Sequence, residues 1–331
     1  MYAGDHDDGV GDEEGPELDL EQLLLATSRT FALAIPLLPE PTRREVTIAY
    51  LLFRVADTFE DATAWPGRRR IAALERFGDL VVRPAPHEVA ATAQSWAVEV
   101  PCEQPGYRDL LAELPQVMAA FAGLAPPAVE LIRHHTLRTC RGMAGFIGRI
   151  DERGELRLRD LEDLRGYCYV VAGIVGELLT EIFLLGRPAL ATAAGYLRAR
   201  SRAFGEGLQL VNILKDSAAD AAQGRRFLPD GIDRGEVLAL ARGSLCSAVE
   251  YVLALQHAGA ERGLVAFTAL PVQLARATLD RVEESGPGAK LKRPEVYAIL
   301  QRVHRALDLG EPAIADPSPA EAPRQVGASR R

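Results

Sequence analysis

Apolar residues recur along most of the chain at three- and four-residue intervals, the spacing that places side chains on one face of an α-helix. Alternating apolar and polar runs, which would indicate strands, are rare, and aromatic residues make up only 6% of the sequence. The pattern predicts ten helices, over residues 18–35, 41–63, 68–82, 107–121, 127–148, 159–184, 189–219, 234–259, 261–284 and 293–307. Ten helices without a strand predict an all-α fold, a single helical bundle with a central cavity.

Changes in composition divide the chain into one domain and two tails. Residues 1–17 are acidic and glycine-rich, residues 311–331 are rich in proline and alanine, and both segments are predicted to be disordered. The domain between them covers residues 18–310. Within it, residues 83–106 contain four prolines and predict an irregular connection or a short helix with loops.

Charge and composition exclude several functional classes. The net charge is −8 and no lysine or arginine run dominates a predicted face, which argues against nucleic acid as a partner. Four cysteines are widely spaced without a CxxC pair, so the sequence gives no zinc signature and suits a reducing cytosol. The acidic N-terminus is unlike a signal peptide, and no apolar run approaches the ~20 residues that span a bilayer. We therefore expect a cytoplasmic protein, soluble or peripheral to a membrane.

Three carboxylates are stacked in one predicted turn. Asp57, Glu60 and Asp61 lie at positions i, i+3 and i+4 of a helix, which share one face, and the flanking residues are apolar. Like charges this close repel one another unless a cation lies among them, and carboxylate oxygens are ligands that Mg²⁺ prefers. Arg54 and Tyr50 lie one and two turns earlier, where the arginine would pair with the carboxylates or contact a phosphate oxygen. A solvent-facing acidic turn is the alternative interpretation.

A second polar stripe runs along the end of the helix predicted over residues 189–219. Gln209, Asn212, Asp216 and Asp220 recur at i, i+3, i+7 and i+11, with leucine, valine and isoleucine on the other side. Asp216 and Asp220 are one turn apart and would hold a second Mg²⁺, unless the helix is simply amphipathic and exposed. Two carboxylate stripes in one all-helical chain indicate two metal clusters that face each other across a cavity, each binding a diphosphate.

Four blocks of sequence carry a resemblance to a known family. They lie at residues 28–61, 166–176, 209–229 and 267–279. Together they resemble the squalene/phytoene synthase family over residues from about 20 to 308. The fourth block, and the lysine-bearing segment 289–294 beyond it, resemble squalene synthases in particular. The resemblance implies the isoprenoid-synthase helical bundle with a central cavity.

The resemblance also implies a head-to-head condensation that requires Mg²⁺. In squalene synthases, two farnesyl diphosphates form presqualene diphosphate, which is ionised, rearranged and reduced with hydride from NADPH. The resemblance leaves two alternatives open. The reaction could end without a reductant, at presqualene diphosphate, dehydrosqualene or hydroxysqualene. The chain could also be a phytoene synthase that uses geranylgeranyl diphosphate. A non-catalytic helical partner subunit is a third hypothesis, and the retained carboxylate pairs argue against it. Because the product would be insoluble in water, transient contact with a membrane surface is expected, whereas the sequence predicts no oligomeric state.

The functional residues of the family map onto this chain where the motifs match. By resemblance, Mg²⁺ would be held by Asp57, Glu60, Asp61, Asp216 and Asp220. The reaction centre would include Tyr50, Arg54 and Tyr167, with Tyr167 as an acid/base or a cation stabiliser. Substrate would be bound by Ser28, Arg29, Phe31, Gln209, Asn212 and Arg225, and NADPH by Asn212, Lys290 and Lys292. Arg54 and Arg225 would contact diphosphate.

Two positions depart from the pattern of the family. Ala219 stands where squalene synthases usually carry a glutamate, and Lys215 stands where arginine is more usual. Asp216 and Asp220 keep their spacing, so metal binding is expected to survive. The number of Mg²⁺ ions at the Asp216 and Asp220 site, and their affinity, stay open.

Overall fold

The computed structural model describes residues 19–28, 30–99, 101 and 104–316, and nearly all regular structure within them is helical. The α-helices are α1 (Leu20–Thr27), α2 (Phe31–Ala34), α3 (Thr42–Glu60), α4 (Gly67–Val82), α5 (Pro86–Val98), α6 (Pro105–Ala112), α7 (Leu114–Ala122), α8 (Pro126–Ile147), α9 (Leu161–Cys168), α10 (Ile174–Leu184), α11 (Ala194–Ala222), α12 (Arg234–His257), α13 (Arg262–Ser285) and α14 (Arg293–Asp308). Short 3₁₀-helices cover Ile35–Leu37 and Pro188–Leu190, and a π-helix covers Tyr169–Gly173. Two-residue strands, β1 (Leu156–Arg157) and β2 (Arg225–Arg226), pair in parallel. The prediction of an all-α fold is confirmed.

The connection over residues 83–106 is more regular than its prolines suggest. Pro86 and Pro105 each occupy the first turn of a helix, α5 and α6 respectively. Proline is tolerated there because the first N–H groups of a helix have no partner within it. Of the two predictions, an irregular connection or a short helix with loops, the structure agrees with the second, and the helix α5 reaches 13 residues.

The predicted tails lie mostly outside the described residues. Disorder over residues 1–17 and 317–331 therefore stays a prediction. Residues 311–316 are described, and there Ala313 and Ile314 are buried against the core. The Ala313 N–H donates to Gln256 Oε1 at 2.9 Å, and Gln273 Nε2 donates to the Ala313 carbonyl at 2.8 Å. The packed chain thus continues past the predicted domain boundary at residue 310.

The helices α3 and α11 are the two elements that position the site. Most of α3 is buried, including the charged residues Glu45 and Glu60, because α4, α7 and α8 pack around it. At 29 residues, α11 is the longest helix of the described chain, and it packs against α10, α12 and α13. Both helices are therefore held in place by neighbouring helices.

The π-helix Tyr169–Gly173 and the following turn pack directly on the backbone of α11. A Cβ at Gly205 would lie 2.0 Å from the carbonyl oxygen of Ala172, and a Cβ at Gly176 would lie 2.0 Å from that of Ser201. Side-chain atoms do not approach a backbone so closely, so only glycine permits these contacts. The two helical backbones are thereby held together without intervening side chains.

We expect Gly205→Ala to lower the free energy of unfolding by about 2–3 kcal/mol, because the added methyl group must push the two backbones apart. Gly195→Ala is the matched control on the same helix, since a Cβ there meets no atom of the described chain within 4 Å. Alanine favours a helix over glycine, so the control is expected to be neutral or slightly stabilised. Urea denaturation measures both variants, and equal stability of the two would contradict the backbone contact.

An ion pair with a buried aspartate joins the residues after α8 to the start of α9. Arg149 donates to both carboxylate oxygens of Asp163, with 2.8 Å between Nη1 and Oδ1, and the Arg159 backbone N–H donates to Oδ2 at 3.0 Å. The Asp163 side chain is only 6% exposed. The hydrogen bonds from Arg149 outweigh the effect of burial and, with those from Arg159, hold the pKa of Asp163 well below its usual range. This pair fixes the start of α9, which carries Tyr167.

Asp163→Asn is expected to lower the free energy of unfolding by about 2–3 kcal/mol at neutral pH, because Arg149 would lose its charged partner. Since the folded-state pKa is depressed, the carboxylate stabilises the wild type above its unfolded-state pKa of about 3.9, and this contribution is lost as the pH falls towards the folded-state pKa. The difference in stability should therefore be constant from about pH 5 to about pH 8 and shrink below about pH 4. Denaturation of the wild type and Asp163→Asn at neutral pH and below about pH 4 tests this prediction. If the difference in stability between the two proteins does not depend on pH, the charged pair is excluded as its cause.

Two helical segments reach the length and apolarity of a membrane span. They are Leu161–Leu184, with a mean hydropathy of 1.6, and Arg234–His257, with a mean hydropathy of 1.5. The expectation that no apolar segment approaches that length is therefore wrong. The most apolar stretch of the first segment is 56% buried inside the fold, and that of the second segment is 50% buried. Packing against α8, α11 and α13 accounts for their composition.

Candidate active site

A cavity of about 770 Å³ lies between α3 and α11, a volume typical of small-molecule sites. On α3, the apolar lining residues Val46 and Phe53 precede Asp57, and on α11 Phe204 precedes Asp220. At 1.5 Å per residue, each row of lining residues is roughly 20 Å long. The cavity therefore has an apolar end and an acidic end.

The first acidic motif lies at the C-terminal end of α3. Glu60 is buried, with 5% exposed, whereas the side chains of Asp57 and Asp61 are 29% and 41% exposed. Burial raises the pKa of Asp57 to about 6 against the opposing charge of Arg54, whose Nη1 lies 3.2 Å from Asp57 Oδ2. Burial, followed by repulsion from Asp61, also raises the pKa of Glu60. Carboxylates crowded in this way are stabilised in their charged form by a bound cation.

Arg54 is enclosed by two tyrosines on the cavity wall. It donates from Nε and Nη2 to Tyr50 Oη at 3.3 and 3.2 Å. Its guanidinium carbon lies 5.4 Å from the ring centroid of Tyr50 and 5.5 Å from that of Tyr107. Burial lowers the pKa of Arg54, but Asp57 and the two tyrosines outweigh burial and raise it. Arg54 is therefore a fixed positive charge beside the first motif.

Among the lining residues to which the sequence analysis assigns no role are Gln104, Tyr107 and Phe227. No helical spacing connects Tyr107 to either acidic stripe, and it reaches Arg54 only because α6 packs against α1 and α3. The sequence signal for Phe227 is limited to its place two residues after Arg225 in a family block.

The second acidic motif is already paired with cationic side chains. Lys215 Nζ lies 3.2 Å from Asp216 Oδ2 and donates to Asn212 Oδ1 at 3.2 Å. Asp220 Oδ1 accepts from Arg225 Nη2 at 3.1 Å. Burial raises the pKa of Asp220, although Arg225 opposes the shift. The two motifs therefore differ, because the first has a third carboxylate, Glu60, which is buried.

Arg225 connects the two motifs across the cavity. Its Nη1 pairs with Asp61 Oδ1, and its Nη2 lies 3.1 Å from Asp220 Oδ1. The residue is positioned by β2, whose pairing aligns Arg225 with Leu156 of β1. Its side chain is 18% exposed, and its Nε is buried with no hydrogen-bond partner among the described residues. The acidic ends of α3 and α11 are thus joined through one cation.

Tyr167 lies beside Glu60 and between two aromatic rings. It is 4% exposed, and its Oη donates to Glu60 Oε1 at 3.4 Å. Its ring stacks on Phe227 at a centroid distance of 4.6 Å and meets Phe146 edge-on at 5.2 Å. Burial, followed by the charges of Glu60 and Asp61, raises the pKa of Tyr167 well above its usual value. The phenol therefore keeps its proton at neutral pH.

The cavity brings together most of the site residues that the sequence predicts. Those that line it are Ser28, Phe31, Tyr50, Arg54, Asp57, Glu60, Asp61, Tyr167, Gln209, Asn212, Asp216, Asp220 and Arg225. Arg29 lies outside the described residues. The assignment of a chemical role to each lining residue stays a prediction.

Lys290 and Lys292 are not brought into the cavity with the other predicted residues. Both are exposed, and neither lines it. They lie in the connection between α13 and α14, where the Gly288 N–H donates to the Lys215 carbonyl at 2.7 Å. This connection therefore contacts α11 through the backbone, while the two lysine side chains face solvent.

The acidic residues fit Mg²⁺ that is held partly by substrate. Within the described ranges, no three His, Cys, Asp or Glu side chains lie close enough to form a metal site by themselves. Mg²⁺ usually takes one or two carboxylates and completes its shell with water and phosphate oxygens rather than an all-protein cage. Both motifs present carboxylates to one cavity, which meets this requirement.

Comparison with known proteins identifies the family of the chain. The squalene/phytoene synthase family model matches residues 24–232. The squalene synthase of Eremothecium gossypii is 32% identical over 215 residues, which cover 64% of this chain and 45% of that protein. The squalene synthase of Candida albicans is 30% identical over 209 residues, which cover 63% of this chain and 44% of that protein. The chain thus matches less than half the length of these relatives.

Solved structures share the fold of the chain. The structure of TcSQS with the ligand BPH1237 has a TM-score of 0.69 at 23% identity, and the match covers 88% of both chains. A dehydrosqualene synthase in complex with a ligand has a TM-score of 0.58 at 18% identity, and the match covers 88% of this chain and 95% of that one. The likeness confirms the expected isoprenoid-synthase helical bundle.

Proposed function

The chain belongs to the squalene/phytoene synthase family, and from this premise we propose that it joins two farnesyl diphosphates head to head through presqualene diphosphate, and that it reduces the product to squalene with NADPH. One observation carries the proposal. Along both α3 and α11, the residues that line the cavity are apolar near the N-terminal end of the lining row and acidic near its C-terminal end. Arg225 joins the two acidic ends. A prenyl diphosphate has the same polarity, with an anionic head and a long apolar chain. Two such molecules would lie with their heads near Arg225 and their chains along the apolar end.

The acidic end would bind the diphosphates through cations. Arg54 and Arg225, which are held by carboxylates and aromatic rings, would donate hydrogen bonds to phosphate oxygens. Mg²⁺, when bound, would supply the positive charge that neutralises the leaving diphosphate. The residues that would hold it are Asp57, Glu60, Asp61, Asp216 and Asp220. Because position 219 is alanine and Lys215 already pairs with Asp216, the second side offers fewer oxygen ligands than the first.

Tyr167 would hold its proton close to the reacting carbons. Its raised pKa keeps the phenol neutral, and its Oη donates to Glu60 at 3.4 Å. In this state it orients the Glu60 carboxylate, and its ring, stacked with Phe227, offers an aromatic face to developing positive charge. Tyr50 would act indirectly, because its hydroxyl accepts hydrogen bonds from Arg54 and so orients the guanidinium.

The apolar end would bind the prenyl chains. Its lining includes Phe31, Leu179, Phe204 and Phe267. Phe31 lies between Tyr50 and Phe267, with ring centroids 5.6 and 6.4 Å apart respectively, so the aromatic wall continues from the reaction centre into the apolar end. An apolar lining excludes water, which would protect a carbocation from premature hydrolysis.

One observation favours a second candidate, in which the reaction ends without a reductant. Lys290 and Lys292, the residues expected to bind NADPH with Asn212, are exposed and do not line the cavity. An enzyme that stops at presqualene diphosphate, dehydrosqualene or hydroxysqualene needs no such site.

Incubation of the purified protein with Mg²⁺ and farnesyl or geranylgeranyl diphosphate, with and without NADPH, tests these proposals. Squalene that forms from farnesyl diphosphate only with NADPH is the expected result. Presqualene diphosphate, dehydrosqualene or hydroxysqualene as the product regardless of NADPH would support the second candidate. Condensation of geranylgeranyl diphosphate alone would indicate a phytoene synthase. No turnover of either substrate would contradict all of these activities and favour a non-catalytic helical partner.

For a cytoplasmic enzyme with a water-insoluble product, we also propose transient contact with a membrane surface. Leu25 of α1 lines the cavity and is 67% exposed, which places an apolar side chain at the cavity mouth. Co-sedimentation with phosphatidylcholine vesicles is expected to recover less Leu25→Asn than wild type. Leu309→Asn is the matched control, because Leu309 is 61% exposed and does not line the cavity. Equal recovery of all three proteins would contradict this surface.

A further inference from the structure

Behind the first acidic motif, Arg70 of α4 contacts the end of α3. Its Nε donates to the Phe59 carbonyl at 3.2 Å, and its Nη2 donates to the Glu60 carbonyl. These are two of the last four carbonyls of α3, which have no partner within the helix. One side chain thus satisfies both groups and places a positive charge at the negative end of the helix dipole.

Arg70 is a buried charge whose surroundings are acidic. It is 5% exposed. Burial lowers its pKa and the carboxylates of Glu60 and Asp61 raise it, so both acids lie within electrostatic range of the guanidinium. Arginine stays protonated in proteins, and a buried cation is costly unless it is paired. Here its hydrogen-bond acceptors are the Phe59 and Glu60 carbonyls, and the nearby opposite charges are those of Glu60 and Asp61 in the first acidic motif.

The two arginines before Arg70 have different surroundings. Arg68 is exposed. Arg69 lies over the Trp65 ring at 3.8 Å and pairs with Glu99, with 40% of its side chain exposed. The three consecutive arginines are equivalent in sequence, and the orientation of α4 turns only the third towards α3.

We propose that Arg70 is a positioning residue for the condensation, which holds the last turn of α3 so that the carboxylates of Glu60 and Asp61 face the cavity. This inference rests on the proposed function, because it takes these carboxylates as ligands of Mg²⁺. Arg70 does not line the cavity, so it acts through the Glu60 backbone and through its charge. Without it, the Glu60 carbonyl would lose the Arg70 donor and the Phe59 carbonyl would keep the Ala62 N–H at 3.4 Å. The Glu60 carboxylate would lose one of the two arginine charges, those of Arg70 and Arg225, that act on it.

Arg70→Met and Arg70→Lys in the full-length protein test this inference, with Mn²⁺ and inorganic diphosphate as the probe of the acidic motifs. Isothermal titration is expected to show about a tenfold or greater loss of Mn²⁺ affinity for Arg70→Met, the size of effect typical of residues behind metal ligands. Arg70→Lys keeps the charge but cannot donate to both carbonyls from a planar fork, so a smaller loss is expected. The Mg²⁺ concentration for half-maximal turnover of farnesyl diphosphate should rise in the same order, with a smaller change in kcat at saturating Mg²⁺.

Arg76→Met is the matched control on the same helix, because Arg76 donates to Glu88 and Thr92, neither of which lines the cavity. It is expected to bind Mn²⁺ as the wild type does, even where its thermal stability falls. If Arg70→Met binds Mn²⁺ as tightly as Arg76→Met, then Arg70 only stabilises the fold and the inference is wrong.

Two further outcomes separate this inference from the proposed function. If Arg70→Met does not fold, Arg70→Lys decides, and wild-type Mn²⁺ affinity in that variant would overturn the inference. A wild type that binds Mn²⁺ with diphosphate but converts no prenyl diphosphate would contradict the proposed function alone, since the titration still tests Arg70. A wild type that binds no Mn²⁺ would overturn both.

Discussion

Asp57→Asn and Asp216→Asn are each expected to slow the condensation by at least about a hundredfold while the protein stays folded. Each substitution keeps the size of the side chain and removes one negative charge from the acidic end of the cavity. Asp57 lies among Arg54, Glu60 and Asp61, so its loss would also leave Arg54 without the carboxylate that lies 3.2 Å from it. Single-turnover formation of product from farnesyl diphosphate measures the effect.

Asp79→Asn is the matched control for both variants, because Asp79 is exposed on α4 and does not line the cavity. It is expected to react at the wild-type rate. The second motif has fewer carboxylates, so Asp216→Asn should also raise the Mg²⁺ requirement of any residual activity more than Asp57→Asn does. Full activity in either variant would refute the assignment of that motif to Mg²⁺.

Arg225→Met is expected to make the stability of the protein depend strongly on Mg²⁺. Without Mg²⁺, the free energy of unfolding should fall by about 2–3 kcal/mol, since Asp61 and Asp220 would lose the cation that joins them. Mg²⁺ with inorganic diphosphate present, at about a hundred times its Kd, would restore about 2.7 kcal/mol, because the ion binds the folded state. In the wild type the charge of Arg225 competes with Mg²⁺, so the same concentration should stabilise the protein less.

Thermal denaturation in inorganic diphosphate, with and without Mg²⁺, measures this dependence. Arg226→Gln is the matched control, since Arg226 is the next residue, is 46% exposed and lies 3.9 Å from Glu155 rather than at the cavity. It is expected to respond to Mg²⁺ as the wild type does. Turnover by Arg225→Met should stay low even where Mg²⁺ restores its stability, because the guanidinium would contact diphosphate. Joint recovery of stability and turnover would argue against that contact.

The sequence by itself determines the features that depend on local geometry. A helix places positions i, i+3 and i+4 on one face wherever it lies in the fold, so the spacing of Asp57, Glu60 and Asp61 is sufficient to predict their proximity. The stripe that ends at Asp220 on α11 follows from the same period. Proline is a weaker guide, since Pro86 begins a helix instead of interrupting one, and this depends on its position within the turn.

Only the tertiary structure decides which cations from distant parts of the chain meet these carboxylates. Arg225 lies 164 residues from Asp61, Arg70 contacts the end of α3 from another helix, and no periodicity connects either to the first motif. The same holds for Tyr107 beside Arg54, and for the lysine side chains at 290 and 292, which lie outside the cavity. Contacts between helices are set by how apolar faces pack, and that driving force is non-directional, so it leaves no local spacing in the sequence. The carboxylates and the arginine one turn before them, Arg54, were therefore predictable, whereas the contacts of Arg225 and Arg70 with the first motif were not.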